Sequence, residues 1–166
     1  MTYSAPAGTR VGHIHLKVSD LDRSIAFYTD VLGFELQQRY GSQAAFLSAG
    51  GYHHHIGLNT WESRGGAPAP KGHPGLFHVA FVYPTPADLG RAVGSVLDAG
   101  VSLTGAADHG VSQAIYLDDP DGNGIELYWD RPEADWPRDS AGTLAMVNSR
   151  LDVAALVRLG AETQAA

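Results

Sequence analysis

Residues 11–33, VGHIHLKVSDLDRSIAFYTDVLG, change periodicity part-way along. Over 11–19 the apolar Ile14, Leu16 and Val18 alternate with His13, His15 and Lys17, the period-two pattern of a half-buried strand. Beyond it Leu21, Ile25, Tyr28 and Leu32 recur at helical spacing. Ser19 or Asp20 can cap that helix, and Gly33 stands where a left-handed C′ residue belongs. Three strand-like runs follow, near 34–40, 43–48 and 53–60, separated by turns at Gly41 and Gly50-Gly51.

The same order then recurs. Residues 62–75, ESRGGAPAPKGHPG, have no periodicity and read as a linker. LFHVAFVY at 76–83 is again strand-like, and Thr85-Pro86 opens a helix whose missing proline N–H costs nothing at the first turn. Leu89, Val93, Val96 and Leu97 form its apolar stripe, Gly100 ends it, and runs near 101–105, 112–118 and 124–130 complete a second unit. His13 aligns over His78, and AFL at 45–47 over IYL at 115–117. The expected fold is α+β: two tandem βαβββ modules, 11–61 and 76–130, forming one curved, pseudo-symmetric eight-stranded sheet with helices on its convex face. Residues 1–10 are an N-terminal arm, 11–136 a single domain, and 137–166 a tail with a short helix near 150–159.

Composition narrows the chemistry. With 166 residues the chain can bury roughly 70% of the surface its unfolded form exposes. Eleven Lys+Arg against 18 Asp+Glu leave no basic stripe for nucleic acid. The absence of cysteine removes disulfides, thiolate-ligated zinc, Fe–S clusters and thiol nucleophiles. MTYSAPAGTR has no apolar leader core, and no 18-residue apolar run follows, so a cytoplasmic protein without a membrane span is expected. Eight histidines remain to be explained.

With helices covering the convex face, Ile14, Leu16 and Val18 must meet the helices, and His13 and His15 the concave side. The same parity turns His78 and Glu126 toward the cavity and Phe77, Val79, Phe81, Ile125, Leu127 and Trp129 away. A lone strand histidine is usually a hydrogen-bonded polar residue. Two repeat-related histidines plus a carboxylate on one cavity face instead suit octahedral Fe(II) or Mn(II) with three open positions.

GHIHLKVSDLDRSIAFYTDVLGFEL (12–36), GLFHVAFV (75–82) and IYLDDPDGNGIELYWDRP (115–132) resemble the vicinal oxygen chelate superfamily, and within it catechol 2,3-dioxygenase-like type I extradiol dioxygenases. The resemblance spans roughly 11–136 and implies a metal held by His13, His78 and Glu126. Fe(II) is expected, with Mn(II) or another divalent ion as the alternative, and an aromatic diol and O2 as substrates. In GGYHHHIGLNTW (50–61) it implies His55 as the cavity acid–base, and repeat alignment with strand parity agrees, although a bulge would exchange it with His54. In DHGVSQAIYL (108–117) it implies His109 and Tyr116 as substrate-oxygen partners. Glyoxalase I-like members carry a fourth ligand where this chain has Gly57.

Other readings stay beside this one. An isomerase or fosfomycin-type transferase on the same fold also uses two histidines and a glutamate, and a bleomycin-resistance-like binder keeps the fold without metal catalysis. DPDGNGIELYWD (119–130) imitates a calcium loop, but Pro120 and the flanking β-formers favour a hairpin turned near Asn123-Gly124. His13-Ile14-His15 lacks the following Asp-His of a hydrolytic zinc site. The apolar tail, with Leu151, Ala155 and Leu159 on one side, is expected to pack on the domain or on a second copy as a homodimer.

Overall fold

Alternation at the start of each module produces an edge strand: β1 (Ile14–Lys17) in the first and β5 (Val79–Val82) in the second. A computed structural model describes residues 2–164; Met1 of the arm and 165–166 of the tail lie outside the described residues. After β1 comes α1 (Leu21–Ala26), which widens into a π-helical turn at Phe27–Val31, then β2 (Glu35–Tyr40), β3 (Ala44–Ser48) and β4 (Ile56–Asn59). After β5 come α2 (Pro86–Asp98), β6 (Leu103–Asp108), β7 (Ser112–Asp118) and β8 (Gly124–Asp130). The last helix is α3 (Val153–Gln164).

The capping chemistry is that of the sequence. Asp20 accepts from the Arg23 N–H, and Thr85 from the Asp88 N–H at 3.1 Å. In the first helix the wide turn, closed by Leu32 N–H onto the Phe27 carbonyl, buries both Phe27 and Tyr28.

Both modules form α+β layers with the same strand order. One sheet runs β1-β4-β3-β2 and the other β5-β8-β7-β6; in each, the first and last strands of the module pair in parallel and the rest antiparallel. The eight strands are thus divided between two four-stranded sheets, because β1 and β5 share no hydrogen bonds within one chain. Each is left as an edge, and His13 and His78 immediately precede them.

One core joins the modules: Leu16, Leu47 and Leu58 cluster with Leu89, Ile115 and Leu127. The β7–β8 turn fastens it. Asp119 accepts from the N–H groups of Asp121 and Asn123, from the Asn123 amide and, at 3.1 Å, from the buried Tyr28 hydroxyl. Asp121 reaches back to Ser19 and Arg23. The left-handed residue of the turn is Gly122 (φ 80°), and Gly124 already belongs to β8, so the turn lies ahead of the expected Asn123-Gly124 pair. Its carboxylates are committed to their own loop and to the other module.

The tail is part of the fold. Asp152 caps α3 through the Ala155 N–H, Leu156 enters the core, and Gly90 of α2 and Gly160 of α3 meet backbone to backbone. Among the described residues no helix is long and apolar enough to cross a membrane.

Candidate metal centre

The parallel pairing of β5 with β8 sets Ala80 beside Glu126. Gly124 makes this approach possible, since a Cβ there would collide with the Phe77 carbonyl and crowd the His78 Cβ at 3.2 Å. As a result His78 Nε2 stands 2.9 Å from Glu126 Oε2, both side chains half-buried. His78 Nδ1 is buried and has no hydrogen-bond partner among the described residues.

Behind this pair lies a line of donors. Tyr116, opposite Glu126 in the β7–β8 register, donates to Glu126 Oε1 at 3.2 Å, and His109 Nε2 is 2.9 Å from the Tyr116 oxygen. Burial and then the neighbouring Glu126 carboxylate push the Tyr116 phenol up to about 12. Four of the expected residues, His78, Glu126, Tyr116 and His109, therefore form one connected set on the second sheet.

His13 belongs elsewhere. Its ring lies 4.4 Å from that of His54, which in turn lies 5.0 Å from Phe46. Among the described residues, no three His, Asp or Glu side chains come together closely enough to hold an ion. A single chain brings together two of the three expected ligands and keeps the third on the other sheet.

His54, rather than the expected His55, faces His13. Residues 52–55 lie outside β4, which begins at Ile56, so strand alternation does not extend to the triple histidine run. His55 instead accepts from the Ala49 N–H at 3.3 Å and lies against Tyr52, 4.8 Å between ring centres. Burial, then the imidazoles of His13, His53, His15 and His55, hold His54 below the usual histidine range. Beside it opens a cavity of about 480 Å³ lined by Gln37, Gln38, Phe46, His53 and His54, within the size range of small-ligand pockets.

His15 fills the space over Gly57, where a Cβ would stand 2.8 Å from its Nδ1. Sequence reasoning missed Gln37, Gln38 and Phe46 as cavity walls, and also a strand-like return at 145–149. The alternation of Leu144 and Met146 with Thr143 and Ala145 was the available signal for the latter.

The Glyoxalase/Bleomycin resistance protein/Dioxygenase superfamily matches residues 10–127, and the chain belongs to that superfamily. It is 35% identical over 150 residues to catechol-2,3-dioxygenase of Bacillus subtilis, a match covering 90% of this chain and 51% of that protein. It therefore spans about half the length of that relative. A probable lactoylglutathione lyase of Vibrio cholerae is 32% identical over 127 residues, covering 71% of this chain and 88% of that protein. The crystal structure of a glyoxalase/dioxygenase from Nostoc punctiforme shares the fold with a TM-score of 0.65 at 22% identity, over 80% of this chain and 99% of that one.

Proposed function

We propose that the protein is a metal-dependent extradiol ring-cleavage dioxygenase acting on catechol-type diols, working as a pair of identical chains. The observation that carries this reading is the His78–Glu126 pair, 2.9 Å apart, with Tyr116 and His109 lined up behind it. Fe(II) would be held by His78 and Glu126 of one copy and His13 of a second. Two imidazoles and one carboxylate suit that ion and leave positions open. The unpaired edges of β1 and β5 support such an assembly, because strand addition between copies would put His13 next to His78.

When bound, the iron supplies Lewis acidity and a redox-active centre at which diol and O2 are brought together. The protein's own groups handle protons and position. His54, beside His13, would take a hydroxyl proton from the diol and give it back as the O–O bond breaks, both oxygen atoms ending in the ring-opened product. Tyr116 donates a hydrogen bond to the substrate oxygen, with His109 behind it. The cavity walled by Phe46, Gln37 and Gln38 holds the aromatic ring.

The similarity to a catechol dioxygenase supports this choice, and Gly57 speaks against the lyase branch, since it offers no donor where glyoxalase I-like members place a ligand. An oxygen electrode with anaerobically iron-loaded protein and a panel of catechols tests the proposal. Expected is O2 uptake equimolar with a yellow ring-opened product. Turnover of a glutathione hemithioacetal without O2 uptake would assign the chain to the isomerase branch instead.

A further inference from the structure

Pro137 to Ser149 form a strap that lies outside the superfamily match and doubles back on the second sheet. Its first half is a tight hairpin: Asp139 accepts from Ala141 and Thr143 N–H groups, and Ala145 N–H returns to the Pro137 carbonyl. Its second half runs along the outer edge of β6. Asp108 and Ser149 exchange backbone hydrogen bonds of 3.0 and 2.9 Å, and Val147 N–H donates to the His109 carbonyl at 3.0 Å. The fit leaves room for glycine alone at 110, where φ is 78° and a Cβ would stand 2.9 Å from Pro137 Cγ and 3.2 Å from Val147 Cγ2.

The strap also grips the His109 side chain, whose Nδ1 is 3.2 Å from the Val147 carbonyl oxygen. A carbonyl can only accept, so this contact is a hydrogen bond only while Nδ1 carries a proton. At the other end of the line, the Glu126 carboxylate also only accepts. Between these two fixed acceptors, His109 Nε2 and the Tyr116 oxygen, 2.9 Å apart, are left to exchange the remaining proton. In the neutral ring Nε2 presents its lone pair and the phenol turns its one proton to it, giving up the bond to Glu126; in the charged ring Nε2 donates to the phenol, which donates onward to Glu126.

We propose that the strap is a positioning element: the Val147 carbonyl locks the proton on His109 Nδ1, so that Nε2 is the only ring nitrogen through which His109 exchanges a proton with Tyr116. His109 is thereby aimed at the site in one tautomer. Free imidazole side chains have no such constraint, and either nitrogen can hold the proton. This deepens the ring-cleavage reading, on which only its effect on turnover depends.

The test is long-range 1H–15N NMR of 15N-histidine-labelled, metal-free protein at about pH 8.5, where unperturbed imidazoles are neutral. The His109 signal is assigned by its loss in His109→Gln. The expected result is a proton on Nδ1 and none on Nε2. A wild-type ring with its proton on Nε2 overturns the proposal, whatever any variant does. Ser149→Pro removes the N–H given to Asp108; a folded Ser149→Pro chain should shift His109 toward the Nε2–H form, and an unchanged tautomer there also overturns it. If wild-type protein cleaves catechols, Ser149→Pro should lower kcat about tenfold with KM little changed. Absence of ring cleavage in wild-type protein would defeat the functional reading and leave the tautomer result standing.

Discussion

The imidazole of His15 lies across the α-carbon of Gly57, its register partner on β4, so closely that a Cβ would come within 2.8 Å of Nδ1. His15 is exposed and can swing aside, which limits the cost of filling that space. Gly57→Ala should destabilise the protein by about 1 kcal/mol in urea titration. Combined with His15→Ala it should cost much less than the two changes summed, since the pair is in contact.

Asp121 ties the second module to Ser19 and Arg23 of the first. Burial alone would raise its carboxyl, but hydrogen bonds from Ser19 and the Arg23 guanidinium outweigh this and hold it below the ordinary value. A carboxyl depressed in the folded state stabilises fully above its unfolded value of about 3.9, and that stability fades as pH falls through the folded value. The urea midpoint of wild-type protein should therefore decline below about pH 4. Asp121→Asn should start lower at pH 7 and show a shallower acid decline.

The meeting of Gly90 and Gly160 sets alanine's helix propensity against steric collision. Gly90→Ala gains up to about 1 kcal/mol from propensity. The new Cβ, however, lands on the Leu156 carbonyl, and both partners are backbone. The collision should win by about 2 kcal/mol, because helix backbones cannot yield as a side chain can. Faster amide exchange across α3 than in wild-type protein would register this.

His54 and His55 can be told apart by paired substitutions. His54→Phe should lower ring-cleavage kcat by about two orders of magnitude, while His55→Phe should change it less than threefold. The opposite ranking, from steady-state assays of folded, iron-loaded protein, would restore His55 to the acid–base role.

Paired chains also make a quantitative demand. His13→Ala and Glu126→Gln chains should each be inactive alone. Co-expressed at equal levels, half of the pairs are mixed and each mixed pair has one intact site of two, so about a quarter of wild-type activity should return. No recovery in proteins that demonstrably pair would place all three ligands on one chain.

The local chemistry was legible in the sequence because it is local. The Thr85-Pro86 cap, the helix-ending Gly33 and Gly100, and the burial of Leu16, Val18, Ile125 and Leu127 all follow from spacing and backbone preference. So did the pairing of His78 with Glu126, since both sit at fixed parity on strands that the repeat makes neighbours. The orientation of His54 was not legible, because a three-histidine run with no apolar partner carries no alternation of its own. Nor was the division into two sheets: whether β1 meets β5 of its own chain depends on contacts between modules, to which strand periodicity is blind. The strap left a faint period-two trace at 143–147, too short to rank above loop.

Asp108 and Ser149 seal the outer side of β6, leaving β5 as the unbridged side of the second sheet among the described residues. On the first sheet β2 carries Glu35 and Arg39 and slips register between Leu36 and Gln38, features that discourage a neighbour. A ribbon open on both flanks recruits copies without end. Each sheet of the chain has a single receptive flank, and a two-fold pair joining each β1 to the other copy's β5 would use both flanks at once and leave none for growth into filaments.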